Sequence, residues 1–314
     1  MTDGILIIDK PENFTSHDVV ARLRRILKTK RIGHTGTLDP FATGVLVMLV
    51  GKATRLAQYL DKDAKEYEAL VRFGFETDTG DRTGRQKAKG KRQKVFSVDE
   101  LETVLAGFRG EIEQTPPMYS AKKIDGVKLY ELARKGIEIE RKSVKVSIYE
   151  LKVIEKAKSI DAKFFNQENS NFGLWTLDFG LRVSCSAGTY IRTLAEDIGA
   201  KLEVGAHLAE LRRTKAGKFD LSKAVTIEEL ENIVSESRLD NHLISMNEAV
   251  SHLPAIVLSE DEIRDTLHGK KLKVETGELA DGQNVRMINE TENLIAVGFY
   301  VKAEKSVQPK LVLI

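Results

Sequence analysis

The sequence predicts an α+β protein with one large domain and a small β-rich domain at its C-terminal end. In residues 1–240, short apolar runs typical of buried strands alternate with segments whose apolar residues recur at helical spacing. After residue 250 only short strand-like runs occur, separated by Gly-rich and charged turns. The 314 residues, 41% apolar and 31% charged, suffice for both domains. We expect the boundary between residues 235 and 250.

The first two elements are a strand and a basic helix. Ile5–Ile8 is an apolar, β-branched run that ends at Pro11. Thr15 or Ser16 can cap the following helix, with Asp18 in its first turn. Apolar residues recur at helical spacing in this segment: Val19, Val20, Leu23, Ile26 and Leu27.

The octet GHTGTLDP, residues 33–40, follows that helix and places His34 and Asp39 among two glycines and a proline. Gly, Asp and Pro are ordinary turn residues, and the residue before a proline is pushed out of the helical region. As an isolated string, the octet therefore fits a solvated turn. A structured loop that holds one carboxylate is the alternative.

The middle of the chain predicts several elements in order. Val45–Val50 is a fully buried strand, Thr54–Leu60 a helix and Tyr67–Phe75 a strand. Gly80–Lys94 is a loop, and Val98–Phe108 is a helix. Two prolines prevent the next segment, PPMYSAKK, from forming a regular element.

The later elements are mostly strands. Val144–Ile154 and Leu174–Ser184 are strand-like runs that flank a polar segment at 158–172, to which we assign no function. A helix begins near Gly188, and His207–Leu211 is a strand. The C-terminal strand-like runs are Leu253–Leu258, Val285–Ile288, Leu294–Tyr300 and Leu311–Ile314.

Charged residues are unevenly distributed although the formal net charge is only +2. Arg82–Lys94 holds seven basic residues and no acid, and Lys122–Lys145 holds eight basic residues against four acids. Glu228–Glu262 holds nine acids and one base. Segregated basic blocks are typical of a surface that binds a polyanion, and a solvated loop is the alternative for each single block.

Several common chemistries lack their motifs. Cys185 is the only cysteine, so the chain can form neither an internal disulfide nor a Cys-based metal site. Gly51-Lys52 is followed by Ala53 rather than the Ser or Thr of a phosphate-binding loop, and G-x-S-x-G is absent. The six histidines are scattered, so we expect no metal. Without a signal peptide or a long apolar run, we expect a cytoplasmic protein that does not enter a membrane.

Six blocks in order carry a family resemblance: LIIDKPENFTSHDVV, GHTGTLDPFATGVLVMLVGKATR, KEYEALVRFGFETDTGD, TPPMYSAKKIDGVKLYELARKG, SAGTYIRTLAEDIG and AHLAELRRTKAGKF. They closely resemble the bacterial tRNA pseudouridine synthase B (TruB) family over about residues 4 to 225. The resemblance implies isomerisation of uridine 55 in the T-loop of tRNA. It also implies the pseudouridine synthase fold, a mixed and mainly antiparallel central sheet flanked by helices.

The resemblance implies a domain organisation as well. Residues 1–240 would be the catalytic domain, and the stretch 116–141 would be a thumb-like RNA-binding insertion within it. Residues 250–314 match a small PUA-like RNA-binding domain in size and β character, without an equally sharp motif.

The resemblance also assigns site residues. Asp39 matches the catalytic aspartate, which attacks the target nucleotide or assists departure of its base. Arg192 matches the arginine that pairs with it, and Tyr67 the tyrosine that stacks on the flipped uracil. Four further positions match substrate-binding residues: His34, which fills space left by flipped bases, the pocket residues Lys10 and Tyr190, and the apolar Leu211.

Pseudouridine formation neither adds nor removes atoms, so we expect no cofactor. The expected partner is the T-stem-loop of tRNA, bound by a monomer without an obligatory protein partner. Phosphate contacts are expected from the Arg82–Lys94 block and from five arginines: Arg22, Arg24, Arg25, Arg212 and Arg213. Two alternatives stay open: a non-catalytic tRNA-binding protein on the same scaffold, and the RNA-guided subfamily of pseudouridine synthases. The thumb-like insertion favours the stand-alone enzyme.

Overall fold

Two β-sheets organise the chain in a computed structural model that describes residues 3–89, 96–120, 122–124, 126–154, 177–274 and 279–313. Residues 90–94 of the basic block and the polar segment 158–172 lie outside this description. The strands are β1 Gly4–Lys10, β2 Ile32–Thr35, β3 Thr43–Val50, β4 Lys65–Phe73, β5 Phe75–Thr77, β6 Gln86–Lys89, β7 Gly110–Gln114, β8 Lys123–Ile124, β9 Val127–Lys128, β10 Val144–Val153, β11 Leu177–Cys185, β12 Ala206–Ala216, β13 Phe219–Asp220, β14 Ala224–Val225, β15 Ala255–Val257, β16 Leu272–Lys273, β17 Asn284–Ile288, β18 Leu294–Val301 and β19 Ser306–Val312.

Helices flank these sheets. The α-helices are α1 Ser16–Ile26, α2 Ala57–Leu60, α3 Val98–Ala106, α4 Leu129–Ala133, α5 Ile191–Lys201, α6 Ile227–Ser235, α7 Met246–Ala249 and α8 Glu260–Leu267. Short 3-10 helices cover Gly51–Leu56, Leu221–Lys223, Leu239–His242 and Lys302–Glu304. No helix in these parts of the chain is long and apolar enough to cross a membrane.

The main sheet has ten strands in the order β14-β1-β3-β12-β4-β11-β10-β7, with β2 paired to β3 and β13 to β12. The β1–β14 and β12–β3 pairs are parallel, and the other pairs are antiparallel. The sheet is therefore mixed and mainly antiparallel, as predicted. Strand β12 lies between β3, which follows the octet, and β4, which carries Tyr67, so it pairs with both of them.

The β12–β3 contact depends on one glycine. Gly44 has φ +99°, and a Cβ there would overlap the carbonyl oxygen of Arg213 and lie 2.9 Å from its carbonyl carbon. Glycine alone combines this backbone conformation with so close an approach of a second strand.

The smaller sheet has five strands in the order β15-β17-β18-β19-β16. Its Val297, Leu311 and Leu313 share an apolar cluster with Ile7 and Val47 of the main sheet. The C-terminal part is therefore β-rich, as predicted, and packs directly on the larger sheet. Helix α8 was not predicted there, because its segment reads as a charged stretch with few apolar residues.

The local signals of the sequence explain several elements. Thr15 caps α1 and forms a capping box with Asp18, which confirms that start. Strand β3 is buried along nearly its whole length, as its continuous apolar run predicts. In β4 every second residue, from Lys65 to Phe73, is buried, so Tyr67 faces the same side of the sheet as Lys65.

One local prediction was wrong and a second was only partly correct. The Gly80–Lys94 loop contains β6, which pairs with β5 through a turn. In this turn the carboxylate of Asp78 accepts from the amide of Arg85, and the backbone amide of Asp78 donates to the carbonyl of Arg85. This hairpin is too polar to show an apolar period. Of the helix expected over Thr54–Leu60, the last four residues form α2, whereas the first three belong to the 3-10 helix Gly51–Leu56.

Candidate active site

A cavity of about 250 Å³ lies between the octet, β4, the start of α5 and β12. Of the seven residues predicted for the site, five line it: Asp39, Tyr67, Tyr190, Arg192 and Leu211. His34 and Lys10 do not. Residues far apart in sequence are thus collected at one small cavity, whose size suits a single base or fragment-sized ligand better than a large one.

Asp39 and Arg192 form a two-point ion pair. Nε of Arg192 lies 2.9 Å from Oδ2 of Asp39, and Nη2 donates to Oδ1 at 3.1 Å. Arg192 is buried, whereas one third of the Asp39 side chain remains exposed. Such a fork geometry fixes the orientation of a carboxylate as well as its charge.

The remaining donors of Arg192 bind backbone groups. Nη1 donates to the carbonyl of Thr79 at 2.9 Å, and Nη2 donates to the carbonyl of Tyr119 at 2.6 Å. Nη1 also lies 3.9 Å from Oδ2 of the buried Asp81. Arg192 therefore connects Asp39 to the β5–β6 turn and to the thumb-like segment.

Helix α5 begins at a fixed place, which positions Arg192 in its first turn. The buried side chain of Gln114, at the end of β7, accepts from the amide of Tyr190 at 3.0 Å and donates to its carbonyl at 3.2 Å. A loop glycine, Gly188, precedes the helix with φ +84°. The carboxamide of Gln114 thus ties the helix start to the main sheet.

The octet is held by side chains from the preceding segment. The hydroxyl of Ser16 accepts from the amide of Leu38 at 2.9 Å and donates to its carbonyl at 3.3 Å. Nζ of Lys10 donates to the carbonyls of Pro11, Phe14 and Pro40 at 2.9, 2.6 and 3.2 Å. Lys10 therefore fixes the residue next to Asp39 instead of lining the cavity. Burial lowers the pKa of Lys10 to about 8, and the charge of Asp39 opposes this decrease.

Burial also shifts the pKa values of Asp39 and Tyr67 at the cavity. It raises the pKa of Asp39, and the neighbouring Arg192 opposes that increase while Asp81 adds to it. It raises the pKa of Tyr67 as well, and the guanidinium of Arg213 opposes that shift. Tyr67 is consequently a neutral phenol at physiological pH, with its ring available for stacking.

His34 lies on β2, outside the cavity. Its ring meets His17 edge-on, with the centroids 6.5 Å apart, and its buried Nδ1 has no hydrogen-bond partner in the structure. Burial and the charge of His17 lower its pKa, which favours a neutral imidazole. His34 is the second residue of the octet, five positions before Asp39.

Sequence reasoning missed two cationic residues that line the cavity, Arg213 and Lys65. Arg213 was expected on the surface as a phosphate contact, and this is wrong: it is 1% exposed and donates to the carbonyls of Val45 and Gly36 at 2.6 and 3.0 Å. The strand period contained the signal, because Arg213 lies two residues after Leu211 and therefore on the same face of β12.

The other arginines expected at phosphates lie nearer the surface, and several already have acidic partners. Arg212 donates to both carboxylate oxygens of Asp9 at 3.1 and 2.7 Å, and Arg22 lies 2.6 Å from Glu231. Arg82 contacts Glu12. Arg24 donates to the carbonyl of Ile32 at 3.4 Å. Phosphate contacts by the paired arginines would require the exchange of these carboxylates.

The thumb-like segment, residues 116–141, contains the β8–β9 hairpin and α4. Arg141 donates to the carbonyl of Pro116 at 3.3 Å, which closes the base of the segment. Among the described residues, no group of three or more His, Cys, Asp and Glu side chains is arranged to hold a metal ion.

Comparison with known proteins shows which family the sequence matches. Residues 24–191 match the N-terminal domain of the TruB family of pseudouridylate synthases, and residues 192–251 match the C-terminal domain of tRNA pseudouridylate synthase B. The tRNA pseudouridine synthase B of Solibacter usitatus is 39% identical over 297 residues, 94% of this chain and 95% of the relative. The enzyme of the same name from Bacillus pumilus is 44% identical over 270 residues, 86% of this chain and 82% of the relative.

Solved structures agree with this match. A chain of a Cbf5–Nop10–Gar1 complex has a TM-score of 0.72 at 28% identity, covering 99% of this chain and 85% of its own. A chain of an H/ACA RNP bound to a substrate RNA containing 2′-deoxyuridine has a TM-score of 0.71 at 27% identity, with the same coverage. The family match extends over more than half of the chain, and it is supported by relatives that match nearly end to end. This chain belongs to the TruB family of pseudouridylate synthases.

Proposed function

We propose that this protein is a tRNA pseudouridine synthase that isomerises uridine 55 in the T-loop of tRNA. The relatives that match most of its length carry the name tRNA pseudouridine synthase B. The observation that carries the proposal within the chain is the two-point contact of Arg192 with Asp39 beside the ring of Tyr67, at a cavity that suits one base.

The target uridine reaches this cavity only by base flipping, because its reaction centre lies inside a folded loop. Flipping costs a few kcal/mol, and base stacking on an aromatic ring returns about 1–3 kcal/mol. Tyr67 supplies the ring, and Leu211 and Tyr190 complete the apolar part of the lining. His34, within the octet, fills the space that displaced bases leave.

Asp39 is the catalytic group in this proposal. The N1–C1′ bond breaks, the uracil turns, and C5 bonds to C1′; Asp39 either attacks the nucleotide or assists the departure of the base. Both roles need the ionised carboxylate, whereas burial favours its neutral form. Arg192 opposes that effect, and a guanidinium keeps its proton in surroundings where an ammonium group can lose it.

The remainder of the molecule would bind the RNA. Residues 1–240 form the catalytic domain in this proposal, and the thumb-like segment 116–141 closes on the T-loop. Its Tyr119 carbonyl already contacts Arg192, so thumb position and the catalytic ion pair are linked. The β-rich residues 250–314 serve as a PUA-like RNA-binding domain. The protein acts as a monomer on the T-stem-loop, in the cytoplasm where its tRNA substrate is found.

The main alternative is a protein of this fold that binds tRNA without modifying it. Tritium release from tRNA labelled at C5 of uridine separates the two functions, because the isomerisation exchanges the C5 hydrogen for a bond to C1′. Release by the wild-type protein supports the synthase. Binding without release supports the alternative.

A further inference from the structure

The buried charges of the chain are concentrated at one place. Among the residues whose side chains the structure describes, the buried Lys, Arg, Asp and Glu residues are Lys10, Lys65, Asp81, Arg192 and Arg213. Each of them lines the cavity or interacts with Asp39, which is itself partly exposed. Four buried cations thus face three carboxylates, those of Asp39, Asp81 and the exposed Asp61, which also lines the cavity, so the site carries an excess of positive charge.

Arg192 is the cation that pairs with carboxylates: it contacts Asp39 and lies near Asp81. Within the described parts of the chain, neither Lys65 nor Arg213 forms a salt bridge, although the charges of Asp63 and Asp61 act on Lys65 from a distance. Nζ of Lys65 donates to the carbonyls of Asp61 and Asp63 at 2.8 and 2.5 Å. Asp61 itself is exposed, and Asp63 is half-buried.

Lys65 and Arg213 flank Tyr67. Lys65 lies two residues before it on the same face of β4, and Arg213 is paired with it across the β12–β4 register. Both cations line the cavity. Two backbone carbonyls occupy two of the three donors of Lys65. Arg213 has five donors and binds two backbone carbonyls and the hydroxyl of Tyr67, so each cation keeps hydrogen-bonding capacity for a ligand.

A buried cation without a carboxylate is costly to fold, because its hydration is lost without a compensating ion pair. Neutral donors could hold the same four carbonyls at lower cost. Fixed cations in a water-poor cavity, in contrast, stabilise negative charge that develops during a reaction, and they need no reorganisation to do so. The excess charge therefore indicates a reaction step in which the bound group becomes an anion.

Isomerisation of uridine contains such a step. When the C1′–N1 bond breaks, its electron pair stays on N1, and the uracil carries one negative charge delocalised over N1, O2 and O4. The anion is consumed when C5 bonds to C1′. The proton then lost from C5 is balanced by a proton gained at N1, so the product is an isomer of the substrate.

We propose that Lys65 and Arg213 stabilise the uracil anion in the interval between cleavage of the C1′–N1 bond and formation of the C5–C1′ bond. This inference rests on the proposed function. It assigns the two cations a role separate from that of Arg192, which keeps Asp39 oriented and ionised. It is also independent of whether Asp39 attacks the nucleotide or assists departure of the base, because both routes leave the electron pair on uracil.

The test compares tRNA carrying uridine with tRNA carrying 5-fluorouridine at the target position. Fluorine withdraws electron density and stabilises the uracil anion by itself. Substrate loss is followed in single turnover by nuclease digestion and chromatography, with saturating enzyme. We expect Lys65→Met to slow conversion of uridine about 100-fold, the size found when one preorganised donor is removed. The reduction in rate that Lys65→Met causes should be at least tenfold smaller on 5-fluorouridine.

Three further variants separate charge from structure. Arg213→Met should show the same dependence on substrate if it folds, and Lys65→Arg should recover most of the rate because it keeps the charge. Lys218→Met is the matched control: Lys218 also donates to a backbone carbonyl, that of Glu248, but it lies outside the cavity. It should convert both substrates at the wild-type rate.

Equal slowing of both substrates by Lys65→Met would contradict the inference, since a purely structural role does not distinguish leaving groups. A wild-type rate of uridine conversion by Lys65→Met would contradict it as well. A wild-type protein that converts neither substrate would instead overturn the proposed function itself.

Discussion

The guanidinium of Arg192 contacts both carboxylate oxygens of Asp39, with Nε 2.9 Å from Oδ2 and Nη2 3.1 Å from Oδ1. The same Nη2 donates to the carbonyl of Tyr119 at 2.6 Å. One buried side chain thereby holds the carboxylate of Asp39 and the first part of the thumb-like segment. The arrangement makes Arg192 sensitive to substitutions that keep its charge but lose its shape.

Arg192→Lys should bind tRNA nearly as well as the wild type but turn over about 10- to 100-fold more slowly, because one ammonium cannot make the fork contact. Arg192 opposes the increase in the pKa of Asp39 that burial causes. A weaker partner leaves that pKa higher, so less Asp39 is ionised at a given pH and the acid limb of the rate profile moves to higher pH. Single-turnover rates between pH 5 and pH 9 measure this. An unshifted profile with a wild-type rate would remove the ion pair from the mechanism.

Lys10→Met should destabilise the fold. The substitution leaves three backbone carbonyls, those of Pro11, Phe14 and Pro40, without their donor. Buried groups that lose a partner cost about 1–3 kcal/mol each, and partial hydration reduces the total to about 2–4 kcal/mol. Urea unfolding measures it, with the exposed Lys30→Met as control. A stability equal to wild type would contradict the structural role of Lys10 at the octet.

Gly44→Ala should destabilise the protein by more than about 3 kcal/mol, because the added Cβ meets the backbone of Arg213 in addition to the strained φ of +99°. Gly110 is the matched control: its φ is +91°, and a Cβ there would have no neighbour within 4 Å. Gly110→Ala should therefore cost only about 1 kcal/mol. Equal losses, measured by denaturant unfolding, would show that the β12–β3 approach is not tight.

Glu196→Gln should stabilise the protein above neutral pH. Burial, and next the charge of Glu76, raise the pKa of Glu196 to about 7 from 4.5. Between these values the folded state binds more protons than the unfolded state, so the wild type loses stability as the pH rises. The glutamine variant escapes this loss, which is on the order of 2 kcal/mol for a mostly buried group. Its advantage over wild type should be small near pH 4 and full above pH 8. An advantage that does not change with pH would contradict the shift.

The sequence was sufficient to predict the elements that rest on local patterns. The alternation of β4, the continuous apolar run of β3 and the cap at Thr15 are all readable from neighbouring residues. The octet can also be recognised locally as a possible site. Its first residues, however, belong to β2 rather than to a turn. Strand β6 was not predicted, because a solvated hairpin has no apolar period.

The cavity could be predicted only through resemblance to a family. Asp39 and Arg192 are 153 positions apart, and nothing local indicates that they touch. Their meeting depends on the order of the strands, in which β12 lies between β3 and β4. The burial of Arg213 has the same origin, since an arginine in a basic run is usually solvated and only the register with Tyr67 and Gly44 places it inside.

The assignment of Asp39 is tested most directly by tritium release from tRNA labelled at C5 of uridine, measured together with tRNA binding. The wild type should release tritium in proportion to the tRNA present. Asp39→Asn keeps the size of the side chain and should bind tRNA but release none. Release by Asp39→Asn at the wild-type rate would contradict the central claim that this carboxylate carries the catalysis.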